Sequence, residues 1–321
     1  MKILVIRFSS IGDIVLTSPV VRCLKQQIPE AEVHFLTKST FKSVLNANPY
    51  IDKLHVLEKT LSATIEELRK EEFDYVIDLH NNVRTKVLKF RLGVKSSSFN
   101  KLNIEKWLLV NLKIDRMPEK HIVDRYLEAV AFLGVKNDGK GLDFFFENEH
   151  QLEKLLPATH HNYIALVIGA QHATKRLPLP KLVEICKAMT RPIVLLGGKD
   201  DHINGEEIAK LVGSHVFNGC GKFSLEESSY IVKMADSVIT HDTGLMHIAS
   251  AFNKPIVSVW GNTVPELGMY PYKVDRHSLF EVNGLKCRPC SKIGYKKCPL
   301  GHFKCMNEHR AVDIAEKAQS I

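Results

Sequence analysis

The feature that most constrains this chain is a repeated alternation of short apolar, β-branched runs with amphipathic helical stretches. The runs are Ile3 to Ile6, Glu32 to Leu36, Lys53 to Val56, Tyr75 to Leu79, Tyr163 to Ile168, Ile193 to Leu196, His215 to Asn218, Ser237 to Thr240 and Ile256 to Trp260. Several are apolar almost throughout, as strands covered on both faces by helices must be. Between them, Val20 to Gln27, Thr64 to Lys70, Leu179 to Met189, Glu206 to Leu211 and Leu225 to Met234 carry apolar residues at helical spacing. Such alternation predicts an α/β fold built on parallel sheets. An irregular stretch from Phe144 to Asn162 interrupts the pattern, which restarts at Tyr163. Two similar halves are therefore expected, residues 1–150 and 151–321, with helices near Ile104 to Leu112 and Ile122 to Leu133 closing the first.

Composition narrows the partners. A chain of 321 residues with 45% hydrophobic content can bury a full core. Its net charge of +8 gathers between Arg84 and Lys113 and between Lys286 and Lys304, which suits an anionic ligand or surface. No dense basic stripe with aromatic platforms is present, so no nucleic acid is expected as a partner. No stretch approaches the roughly 20 apolar residues of a membrane span, and the first apolar run is too short for a secretory signal. Seven cysteines, an odd number, agree better with a reducing compartment than with a disulfide framework, so a cytoplasmic location is expected.

Four strand-to-helix turns could carry chemistry. In "IRFSSIGDIVLTSP", residues 6 to 19, Asp13 either caps a helix, worth about 1 kcal/mol, or is delivered to the C-terminal edge of a strand, where open α/β sheets bind ligands. In "SVITHDTGLMHIASAFNKPIVSVWG", residues 237 to 261, the backbone N–H groups of Thr243, Gly244 and Leu245 open a helix and form a diphosphate cradle. The alternative there is that Asp242 and Thr243 only cap the helix and His247 packs in the core. In "IGAQHATKRLPLPK", residues 168 to 181, Lys175 and Arg176 precede a helix that opens at Leu177-Pro178. They either neutralise a leaving phosphate or belong to a solvated basic loop. In "LLGGKDDHINGEE", residues 195 to 207, Asp200, Asp201, Glu206 and Glu207 are candidates for ribose hydroxyls or for plain surface solvation. Neither a GxGxxG nor a Walker A pattern occurs.

The stretches "SSIGDIVLTSPV", "KRLP", "DTGLMHIASAFNKPIVSVWG" and the downstream "YPY" resemble the ADP-heptose:lipopolysaccharide heptosyltransferases, glycosyltransferase family 9, along nearly the whole chain. The resemblance implies a GT-B architecture: two Rossmann-like domains facing across a cleft, the first holding the acceptor and the second the nucleotide sugar. It implies Asp13 as catalytic base in an inverting transfer, presented by a turn of Ser9, Ser10 and Gly12. Lys175 and the backbone of Thr243, Gly244 and Leu245 are implied on the donor diphosphate, Asp242 beside the donor sugar, and Asp201 near the ribose. Asn81, Asn82, Arg84 and Lys86 are candidates for an anionic, lipid-linked saccharide acceptor, which fits peripheral contact with the inner membrane. Gly169-Ala170-Gln171 stands where some members supply hydroxyls, and Leu177 where an aromatic residue is common. Two other readings stay open, a nucleotide-sugar epimerase of GT-B fold and a non-catalytic nucleotide-sugar binder.

No cofactor is expected for catalysis. "CRPCSKIGYKKCPLGHFKCM", residues 287 to 306, sets Cys287, Cys290, Cys298, His302 and Cys305 at spacings that a structural zinc could use, or leaves them as reduced thiols in a basic loop. Cys23, Cys186 and Cys220 read as buried filler.

Overall fold

The computed structural model describes residues 1–321 and divides them into two compact units, Met1–Lys101 with Lys120–Glu147, and Leu102–Glu119 with Asn148–Ile321. The first unit holds β1 (Lys2–Ile6), β2 (Glu32–Thr37), β3 (Lys53–Val56), β4 (Tyr75–Asp78) and β5 (Lys95–Ser98) in the order β3-β2-β1-β4-β5. The second holds β6 (Ile164–Val167), β7 (Ile193–Leu196), β8 (Val216–Asn218), β9 (Ser237–His241), β10 (Ile256–Trp260) and β11 (His277–Glu281) in the order β11-β10-β9-β6-β7-β8. Every strand pair is parallel. The α/β class follows.

Burial explains the apolar strands. In the second sheet Ile164, Leu166, Ile193, Leu195, Ile239 and Val257 join one core, under the helices Leu179–Lys187 and Ala311–Ser320. Their immediate neighbours Ala165, Val167, Val194, Leu196, Val238 and Ile256 join another, under Leu225–Met234 and Gly244–Ala251. Period-two alternation thus sends successive side chains into two separate cores. In the first unit, Ile3 to Ile6 of β1 are wholly buried.

In each sheet the strand order reverses beside the unit's first strand, between β1 and β4 and between β6 and β9. Connections leave such a pair toward opposite sides and open a crevice beyond the strands' C-terminal ends. The loops after β1 and β4, and those after β6 and β9, border these two crevices.

Several elements differ from expectation. β5 and β11 are polar edge strands with no apolar run to announce them. The helix Val83–Leu92 was also missed, because Val83, Val87 and Phe90 face outward and spoil an inward stripe. Pro178 is the N-cap of the Leu179–Lys187 helix, one step later than the start expected at Leu177-Pro178. Residues 103–112 form a helix over Asn103–Trp107 that widens into a π turn, and they do not close the first unit. Leu109 packs with Val264 and Leu267, and the Lys113 ammonium donates to the carbonyls of Val110 and Pro289 at 2.6 and 2.7 Å, so the segment joins the second unit.

Candidate active site

In the first unit the crevice between β1 and β4 is organised by Arg7, a residue the sequence reading passed over. Its guanidinium donates to the carbonyls of Ser9 and Leu79 at 2.8 and 2.5 Å and to the Tyr126 hydroxyl at 2.9 Å. Its remaining nitrogen meets Asp13 Oδ1 at 2.5 Å. Burial alone would weaken Arg7's hold on its proton; Asp13, Tyr126 and Asp78 more than reverse this, and the guanidinium is a fixed cation. Asp13 Oδ2 accepts from the Ser10 backbone N–H at 3.1 Å and the Ser10 hydroxyl at 2.7 Å. Capping and presentation are therefore the same geometry: the bonds that start the short helix Ile11–Val15 also aim a carboxylate that keeps about a quarter of its side chain open to solvent. Gly12 is buried within this turn.

Across the same crevice, buried Asp78 accepts the N–H groups of His80 and Asn81 and pairs with Lys89 at 3.1 Å. Asn81 sits in the left-handed region, φ 48°, with its amide on the Phe99 carbonyl at 3.0 Å. Asn82 caps the next helix through a reciprocal pair with Thr85, and Arg84 is exposed, 5.9 Å from the centre of the Phe8 ring. His80, packed on Phe8 beside Arg7, is driven down to a pKa of about 4 by burial and by that cation, so it is neutral at neutral pH.

In the second unit, β6 and β9 bring Lys175 and Asp242 together. Lys175 Nζ lies 2.5 Å from Asp242 Oδ2, which also accepts the Thr263 hydroxyl at 3.0 Å. Thr243 is the N-cap of the Gly244–Ala251 helix, yet its side chain caps nothing and its hydroxyl lies 3.2 Å from that of Thr240. A helix start with no side-chain cap offers its first N–H groups to an anion. His241 fixes the Lys175 loop: its Nε2 accepts the Leu177 N–H at 3.0 Å, and burial together with Arg176 holds its pKa near 3, which keeps that lone pair available. His247 is buried one turn into the helix.

Asp201 is buried inside its own loop. It accepts the Gly198 N–H at 2.8 Å and pairs with Arg176 at 2.9 Å, so it ties the turn after β7 to the loop after β6. Asp200, Glu206 and Glu207 are exposed, and Glu206 accepts from Asn218 at 2.7 Å. Sequence reasoning also missed Asn262, which follows β10. It is 1% exposed and neither its amide nitrogen nor its oxygen has a partner, a costly state for a buried polar group and one that a ligand's hydrogen bonds would relieve. The only signal was its place directly after the strand-ending Trp260-Gly261.

The cysteine segment braces this site. Tyr295 N donates to the Thr174 hydroxyl at 2.8 Å and the Thr174 N–H donates to the Tyr295 carbonyl at 3.2 Å, one residue from Lys175. All seven cysteines are free thiols. Cys287 Sγ lies 4.0 Å from His302 Nε2. Burial and the neighbouring thiols push Cys290 up and Cys305 up to about 12. The one grouping of metal-type donors within 4.8 Å of one another is elsewhere, His34, His55 and Glu71 in the first unit, where Lys53 already neutralises Glu71 at 2.5 Å.

Gly169, at the end of β6, offers a direct check on this arrangement. A Cβ there would come within 2.3 Å of Asp201 Oδ2 and 3.3 Å of Gly197 Cα. Gly169→Ala is expected to displace Asp201 from Arg176 and to cost about 1–3 kcal/mol of stability, read as a lower thermal midpoint. An unchanged midpoint would show that Asp201 is not held as described.

Comparison with known proteins shows the family and the fold. Residues 61–300 match the family model described as glycosyltransferase family 9 (heptosyltransferase). The chain is 27% identical over 289 residues to lipopolysaccharide heptosyltransferase 1 of Campylobacter coli, covering 82% of this chain and 84% of that one. Among solved structures it resembles a family 9 glycosyl transferase from Veillonella parvula, at TM-score 0.79, 20% identity and 99% and 96% coverage. It also resembles the Escherichia coli ADP-heptose lipopolysaccharide heptosyltransferase II, at TM-score 0.75, 18% identity and 100% and 98% coverage. The fold is of the GT-B type, and the chain is a glycosyltransferase that belongs to glycosyltransferase family 9.

Proposed function

We propose that this enzyme transfers a heptose from ADP-heptose to a lipopolysaccharide core precursor, with inversion at the anomeric carbon and without a catalytic cofactor. The names of its relatives support the donor and the acceptor. The observation that carries the reading is the Lys175–Asp242–Thr263 cluster beside a helix start with no side-chain cap, next to the unpartnered amide of Asn262. A sugar diphosphate matches every one of those groups.

An acceptor hydroxyl must lose its proton as it attacks, and Asp13 is the carboxylate assigned to take it. Arg7 and Ser10 position that carboxylate. As the sugar–phosphate bond breaks, negative charge grows on the β-phosphate. The N–H groups of Thr243, Gly244 and Leu245 meet it, together with Lys175 as it exchanges Asp242 for phosphate oxygen. Asp242, released from that pair, faces the donor sugar. Asp201 serves the ribose side through the Gly197–Gly198 turn that it holds. Ser10, Gly12, Asn81 and Arg84 line the acceptor side in the first unit, and Arg84 is free to reach an anionic substituent. The acceptor is lipid-linked, so the enzyme works at the inner membrane as a peripheral cytoplasmic protein; none of its helices is long and apolar enough to cross a membrane.

Incubation with a panel of nucleotide sugars, with and without core acceptors, tests this reading. ADP release is expected only with ADP-heptose and acceptor together, and the product linkage should have the opposite anomeric configuration to the donor. Release of epimerised free sugar without acceptor, or a retained configuration, would overturn it.

Apart from the reaction, the spacing of Cys287, Cys290, Cys298 and Cys305, with His302 near Cys287, supports a structural zinc that would draw these separate thiols together, deprotonate them and stiffen the loop behind Thr174. Metal analysis of protein purified without chelator should find about one zinc per chain, lost in Cys290→Ser. Zinc-free protein of unchanged stability would mean that the four are simply reduced thiols.

A further inference from the structure

The helix Val83–Leu92 turns an apolar stripe to solvent. Val83, Val87 and Phe90 lie at successive helical turns on one face, 76%, 40% and 88% exposed, whereas Thr85 and Leu88 fill the inward face. A phenylalanine left almost wholly in water on a regular helix marks a contact surface. Charge says what the contact is. From residue 79 to residue 104 the sequence contains Arg84, Lys86, Lys89, Arg91, Lys95 and Lys101 and no aspartate or glutamate. Lys89 is spent on Asp78; Arg84, Lys86 and Arg91 are exposed on the same helix as the stripe, and Lys95 is exposed just beyond its end. An apolar stripe rimmed by cations is complementary to an anionic bilayer, where the apolar side chains enter the headgroup boundary and the cations meet lipid phosphates.

Position strengthens the case. The helix begins at Asn82, in the crevice where Asn81 and Arg84 are assigned to the acceptor, and Phe90 lies about 10 Å along its axis from Val83. We propose that this helix is the surface by which the enzyme docks on anionic lipid, so that a lipid-anchored acceptor presents its saccharide at the helix's N-terminal end. The proposal deepens the lipid-linked-acceptor reading and rests on it for its purpose; the docking itself is measured without any transfer.

Sedimentation with vesicles provides the test. The full chain should bind vesicles containing phosphatidylglycerol at least 10-fold more tightly than pure phosphatidylcholine vesicles, with binding that weakens as salt is raised. Val83→Ser combined with Phe90→Ser, both at exposed positions, should lower that binding at least 10-fold. It should also slow transfer to acceptor embedded in vesicles while leaving transfer to a soluble, delipidated acceptor unchanged. Equal binding to both vesicle types would overturn the proposal, and so would unaltered binding in the double variant, whether or not its oligomeric state changes. A separate exposed apolar group in the second unit, Trp107 and Ile293, serves as control. Loss of binding only in Trp107→Ala with Ile293→Ser would move the docking surface there and refute the assignment to this helix. Vesicle binding without any transfer would leave docking standing and remove the transferase reading.

Discussion

Parallel strands all end on the same side of their sheet, and that constraint puts the candidate site residues where they are. In the first unit it gathers Arg7, Asp13 and the Asp78–Arg84 turn at one crevice; in the second it gathers Lys175, Asp242 and Asn262 at another. No long-range coincidence is needed to bring together residues 67 positions apart such as Lys175 and Asp242. Adjacent strands β6 and β9 deliver both to one edge. The helix that follows β9 then adds its positive terminus to the same place, because a parallel crossover must begin there.

Both crevices store charge in pairs. Arg7 and Asp13 neutralise one another in a partly buried setting, and so do Lys175 and Asp242. Removing one member of such a pair strands the other, which makes these groups sensitive to substitution even apart from reaction. The two pairs differ in how they are tied. Arg7 is clamped by three oxygens besides Asp13 and stays in place. Lys175 has, besides Asp242 Oδ2, only the Asp242 carbonyl, at 3.5 Å, so a phosphate can draw it away.

Much of this was legible in the sequence where burial is two-sided, since β1, β6, β7, β9 and β10 announce themselves as apolar runs. Turn chemistry singled out Asp13, Lys175 and the Asp242–Leu245 start as candidates because each lies in the loop that follows such a run. What stayed hidden was decided by three-dimensional neighbours. Arg7, just past the strand Lys2–Ile6, reads as an ordinary basic residue until Leu79 and Tyr126 arrive beside it, and nothing in the sequence around Asn262 says that its amide is buried without a partner. The edge strands β5 and β11 hold no more than two consecutive apolar residues, so they have no pattern. Residues 103–112 read as a helix of the first half by sequence position alone, whereas Leu109 found its apolar partners at Val264 and Leu267.

In the proposed reaction one carboxylate, Asp13, takes the proton while a separate set of groups binds the donor. Asp13→Asn preserves the size of the side chain and removes the carboxylate proposed as the base. Titration of ADP-heptose into the variant, alongside its turnover with core acceptor, measures both halves at once. Donor affinity within about twofold of the parent, with turnover reduced by about 10² or more, is the predicted result. Undiminished turnover would rule Asp13 out as the base.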